Sequence, residues 1–197
     1  MSIYHYPLRF TFKITTLAND FVARDALGTP IFYAREKLLA LRDQIKIYRD
    51  ESKSELLYEL ISNKIIDFQQ TFTITNTEGR TIGKVRRKSL RSLWKSTFKL
   101  MDAEDNHDFT IEEKNPFVKF WDSLFDGIPI LGGLSGYILN PTYHLHDHNG
   151  QVLYEIRKEP SFFGRKFMVN KLTSLPIDEE RLVLSIALMV LVERYRG

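Results

Sequence analysis

Leu182-Val183-Leu184-Ser185-Ile186-Ala187-Leu188-Met189-Val190-Leu191-Val192 has no polar stripe at helical spacing; Ser185 is its one polar side chain. A helix on a protein surface keeps a polar face, so a helix that is apolar all round has to be covered on every side. The flanks mark the run as helical. Pro176 precedes it, Asp178, Glu179 and Glu180 fall in the first turn, and Arg194 and Arg196 lie near the end, each on the side of the helix dipole that favours its charge. The spacing predicts a helix over 178–196. A bilayer span needs about 20 apolar residues, more than this run supplies, so its cover is expected to be protein.

Outward from the helix, the chain reads as strands. Aromatic residues make up 13% of it, from 14 Phe, 9 Tyr and 2 Trp, a composition that favours sheet. A hairpin signature recurs, in which alternating apolar residues run into a turn of Asp, Asn and Gly and out into a second alternating run. The copies are Phe21–Gly28 leading into Ile31-Phe32-Tyr33, Phe72–Gly79 leading into Thr81-Ile82-Gly83, and Tyr143–Gly150 leading into Val152-Leu153-Tyr154. A fourth, Phe98–Asn106 into Phe109-Thr110-Ile111, has no Gly in its turn. The period of two places Thr73, Lys99, His144 and His146 on the face opposite the aromatic and aliphatic residues, so one face is core and the other solvent. Phe10–Ile14, Ile45–Tyr48 and Phe167–Asn170 alternate in the same way.

The stretch at about 115–141 departs from this pattern. Phe117, Phe120, Trp121, Leu124 and Phe125 have helical spacing, which Gly127-Ile128-Pro129 ends, and Gly132–Gly136 reads as a loop because no Lys stands where a phosphate-binding loop needs one. The prediction is a β-rich (α+β) single domain over 1–197. It consists of a closed antiparallel sheet wrapped around a buried hydrophobic C-terminal helix, with a helix/loop insertion at about 115–141.

These residues carry a resemblance. The hairpins from Phe21 to Gly28 and Phe72 to Lys88, Glu112-Glu113-Lys114-Asn115-Pro116, Pro141-Thr142-Tyr143 to Gly150, and the closing apolar helix together resemble the LURP-one-related proteins, kin of phospholipid scramblases and of the tubby C-terminal domain. The likeness spans nearly the whole chain. It implies a tubby C-terminal-like barrel of about twelve strands enclosing the terminal helix, and a barrel surface able to bind an anionic lipid headgroup or to serve as an interaction scaffold. Scramblases carry an acylated, Cys-containing N-terminal region, and this chain has no Cys, so scrambling is not expected.

The charge pattern points to a surface. The net charge is only +3, yet Arg80, Lys84, Arg86, Arg87, Lys88, Arg91, Lys95 and Lys99 fall between Gly79 and Met101 with no acidic residue among them. On a regular strand Lys84, Arg86 and Lys88 share a face, where Arg offers forked hydrogen bonds and Lys a point charge to a phosphate, and Leu93 and Trp94 lie close by in sequence. The expected ligand-binding set is Lys84, Arg86, Arg87, Lys88, Arg91 and Lys95. A nucleic-acid partner is disfavoured by so small a net charge.

Glu112 and Glu113 are adjacent and point to opposite strand faces, Ser135 lacks a nucleophile elbow, and no zinc-protease or calcium-loop spacing occurs, so no enzyme activity, metal or cofactor is expected. His144, His146 and His148 read as a polar outer face. Without Cys there are no disulfides, and Met1–Pro7 lacks the charged and apolar regions of a secretory leader. The expected function is that of a non-enzymatic cytoplasmic barrel binding anionic phospholipid headgroups, peripherally at the inner membrane surface. The alternative is a protein–protein interaction scaffold without ligand specificity.

Overall fold

The computed structural model of the chain describes residues 2–13, 19–36, 43–63, 70–87, 96–114, 141–160, 166–174 and 178–194. Within them, twelve strands close into a barrel. They are β1 (Leu8–Phe12), β2 (Asp20–Arg24), β3 (Pro30–Glu36), β4 (Gln44–Tyr48), β5 (Leu56–Ser62), β6 (Thr71–Asn76), β7 (Thr81–Arg87), β8 (Thr97–Met101), β9 (His107–Glu113), β10 (Thr142–Asp147), β11 (Val152–Glu159) and β12 (Lys166–Lys171), followed by helix α1 (Glu179–Arg194). Each strand pairs with its neighbours in sequence, and β1 pairs antiparallel with β12 to seal the wall, Phe10 opposite Phe167. Closure leaves no sheet edge.

Because the strands alternate in direction, the turns β2–β3, β4–β5, β6–β7, β8–β9 and β10–β11 all lie at one end of the barrel, the turn end. They share one chemistry. The first residue, Asp25, Asp50, Asn76, Asp102 or Asp147, accepts a hydrogen bond from the backbone N–H two positions on through its side-chain oxygen. Four of the five accept a second, from the N–H four positions on. The fourth turn residue takes positive φ: Gly28 83°, Lys53 59°, Gly79 77°, Asp105 71° and Gly150 81°. Each hairpin also shows a register shift beside its turn, the mark of a bulge that follows a tight turn of this kind. Four of these hairpins carry the sequence signature; the fifth, β4–β5, has Lys53 in place of Gly.

The expected helix is there, inside the barrel. Every residue from Arg181 to Leu191 is buried, and the helix residues form one core with Phe10, Phe21, Leu60, Ile74, Leu100, Ile111, Tyr143 and Ile156 of the wall. A helix of 16 residues is about 24 Å long at 1.5 Å per residue, close to the length of the longer strands around it. Burying each large aliphatic contributes about 1.5–3 kcal/mol, so α1 is a major source of stability.

Asp178 caps α1 rather than joining it: its Oδ1 accepts from the Arg181 N–H at 3.2 Å. The acidic first turn is anchored to the wall. Glu179 accepts from Ser2 Oγ at 2.8 Å, from Lys171 Nζ at 2.9 Å and from the Ile3 N–H, and Glu180 accepts from the Tyr58 hydroxyl. Buried Arg181 pairs with Asp108 and Asp178 and lies 5.5 Å from the Phe109 ring centroid. At the opposite end Tyr143 Oη donates to Glu193 at 3.0 Å. The helix expected at 117–125 and the loop at 132–136 lie outside the described residues.

Candidate anion-binding face

With the interior occupied by α1, the polar chemistry of the wall faces outward. On β7 the inward residues are Gly83 and Val85, which sends Lys84 and Arg86 to the outer face. The register then aligns a straight row across five strands. Thr71 lies opposite Arg86, Arg86 opposite Lys99, Lys99 opposite Thr110, and Thr110 opposite His146. Side chains placed directly opposite have Cβ atoms about 4.5–5.5 Å apart, and like charges in that arrangement oppose pairing.

The charges of this row differ in how they are compensated. Lys84, two residues before Arg86 on β7, donates to Asp105 Oδ2 at 2.6 Å and is neutralised there. Arg86 is exposed and donates Nε–H to Thr71 Oγ1 at 3.3 Å, a contact that leaves both terminal amino groups for an external acceptor. Lys99 is half-buried. Among the described residues, neither Arg86 nor Lys99 makes an ion pair with a carboxylate. Two adjacent cations of this kind, with the hydroxyls of Thr71 and Thr110 on either side, present the forked and point-charge donors that a phosphate group uses. The Thr110 hydroxyl is 3.0 Å from His107 Nε2.

Of the six residues expected from sequence, Lys84 and Arg86 share this face. Arg87 does not: it is paired in register with Phe98, whose side chain points into the barrel, and its N–H donates to the Gln70 carbonyl at 2.9 Å. Lys88, Arg91 and Lys95, like Leu93 and Trp94, lie outside the described residues. Lys99, Thr71 and Thr110 were absent from the expected set because strand register, which brings them together, is not written in any one segment.

Outside this row several buried ionisable groups are tied into the fold. Asp20 accepts from the Tyr33 hydroxyl and lies 4.0 Å from Arg35 Nε, while Glu179, Arg181 and Glu193 hold the two ends of α1. A surface depression of about 280 Å³ is lined by Val22, Arg24, Pro30, Asp50, Glu51 and Ser52, with Arg24 4.0 Å from Glu51. Among the described residues no helix is long and apolar enough to cross a membrane. No family model matches the chain, and no curated protein matches it.

Proposed function

We propose that this chain is a non-enzymatic barrel protein that attaches peripherally to anionic phospholipid headgroups, on the cytoplasmic side of a membrane, through the outer face of β6–β9. The observation that carries the reading is the Arg86–Lys99 pair, two cations facing each other across β7 and β8 with no carboxylate paired to either among the described residues. A filled interior leaves the outer wall as the place for a ligand. The likeness to the LURP-one-related proteins supports the same reading.

Each Lys or Arg held near an anionic surface contributes about 1 kcal/mol, so reversing both charges weakens attachment by at least about tenfold. Co-sedimentation with vesicles at low salt tests this. Anionic vesicles are expected to carry down more protein than neutral ones, and the double variant Arg86→Glu, Lys99→Glu is expected to stay in solution. Equal recovery on both vesicle types, or no effect of the reversals, overturns the reading.

The scaffold reading draws on a different observation. Ile3, Leu27 and Leu172, exposed at 66%, 73% and 56%, all lie at the turn end, away from the basic row. Recovery of one stoichiometric protein partner, insensitive to the Arg86 and Lys99 reversals and lost on Leu27→Ser with Leu172→Ser, would favour it.

A further inference from the structure

The outer face of β9 and β10 carries a second cluster, separate from the cationic pair. His144 and His146 project from the same side of β10, and Glu112 of β9 lies directly opposite His144 in register. The Glu112 carboxylate reaches along the sheet to His146, with Oε1 3.5 Å from Nε2.

The tautomer of His146 is set by its other nitrogen. Nδ1 lies 3.0 Å from the Asp147 carbonyl oxygen, which can only accept, so Nδ1 carries a proton, and whenever the ring is neutral its lone pair is on Nε2. That Nε2 is buried and makes no hydrogen bond among the described residues. A lone pair facing a carboxylate oxygen is repulsive unless a proton or a metal ion lies between them. Two ligand atoms on one tetrahedral ion, each about 2.0–2.1 Å from it, stand about 3.3–3.4 Å apart, close to the spacing observed here. An imidazole N–H held by a backbone carbonyl is also the usual support behind a metal-bound histidine.

We propose that His146, Glu112 and His144 form a binding site for a transition-metal dication of the zinc type on the outer face of the barrel. Nitrogen donors select zinc, nickel or copper over calcium and magnesium. Among the described residues no three such side chains converge as they stand. His144 Nε2 is 3.8 Å from Glu155 Oε2, turned toward β11, and binding draws it round toward Glu112 by rotation of its own side chain. The paired atoms of His146 and Glu112 are the preformed part of the site.

The test is calorimetric titration of the full chain with Zn²⁺ at neutral pH after removal of chelators, beside His146→Ala, Glu112→Gln, His144→Ala and the control His148→Ala, which alters an exposed turn residue. Thermal melts confirm that each variant folds, and Co²⁺ absorption reports the ligand field independently. One ion is expected to bind per chain. Each of the three site variants should weaken it by at least about tenfold, and His148→Ala should leave it unchanged. No binding, or binding that survives His146→Ala, overturns the site. So does a histidine NMR titration that shows His146 as an imidazolium at neutral pH with no response to Zn²⁺, because a proton would then fill the role assigned to the metal.

Discussion

Lys53, at φ 59°, and Asp105, at φ 71°, occupy the turn position that Gly28, Gly79 and Gly150 fill elsewhere. An L side chain there meets the following carbonyl, a clash that Gly avoids. Lys53→Gly and Asp105→Gly are therefore expected to raise stability by up to about 1 kcal/mol each, less the extra entropy Gly gives the unfolded chain, as read from chemical denaturation. Gly83 is a different case, because space rather than backbone angle demands it. A methyl group there would lie 2.6 Å from Arg181 Cδ and 2.7 Å from the Met101 carbonyl oxygen. Gly83→Ala forces buried Arg181 away from Asp108 and is expected to cost about 1–3 kcal/mol in the same measurement. The Asp-x-x-Gly turns were readable in the sequence because their residue types announce them. The β4–β5 turn was not, since nothing about Lys declares a left-handed backbone, and the need for Gly83 arises only in the folded chain, from Arg181 of the helix and the Met101 carbonyl of β8.

Glu179 and α1 belong to the scale of the element. Burial works against ionising Glu179, but Lys171, the Ile3 N–H and the Ser2 hydroxyl together outweigh it and hold its carboxyl below the ordinary value near 4.5. A group with a depressed folded-state pKa stabilises the fold fully above its unfolded value, and that contribution disappears as the pH falls through the folded one. The melting temperature of the wild type should therefore drop below pH 4.5 more steeply than that of Glu179→Gln, which is expected to be the less stable of the two at neutral pH. Parallel pH profiles would show that the anchor carries no net charge energy. Within the helix, Leu188→Ala is expected to cost about 2–5 kcal/mol, because the closed wall cannot collapse onto the lost volume. The helix was the most legible element, since a run apolar on all sides has only one kind of environment. Its start moved by one residue because Asp178 serves as the cap.

At the scale of the whole molecule, one apolar helix decides where function can reside. A barrel filled by α1 offers a ligand its wall and its ends, and the wall of β6–β9 places Arg86 opposite Lys99, neither of them in an ion pair among the described residues. The antiparallel, closed character of the sheet followed from hairpin signatures and from the helix that needed covering. The β1–β12 seam joins strands from opposite ends of the chain, so no local pattern could display it. The candidate site was half legible for the same reason. Lys84 and Arg86 share a face by strand period alone, whereas Lys99 enters through register with β7, and Arg87 leaves by falling on the inner parity beside Phe98. Amide chemical shifts followed during titration with a short-chain anionic phospholipid test this directly. Changes centred on Thr71, Arg86, Lys99 and Thr110, with the helix amides from Leu182 to Leu191 unmoved, are the expected result; changes centred on the helix or the turn end, with those four residues silent, would contradict it.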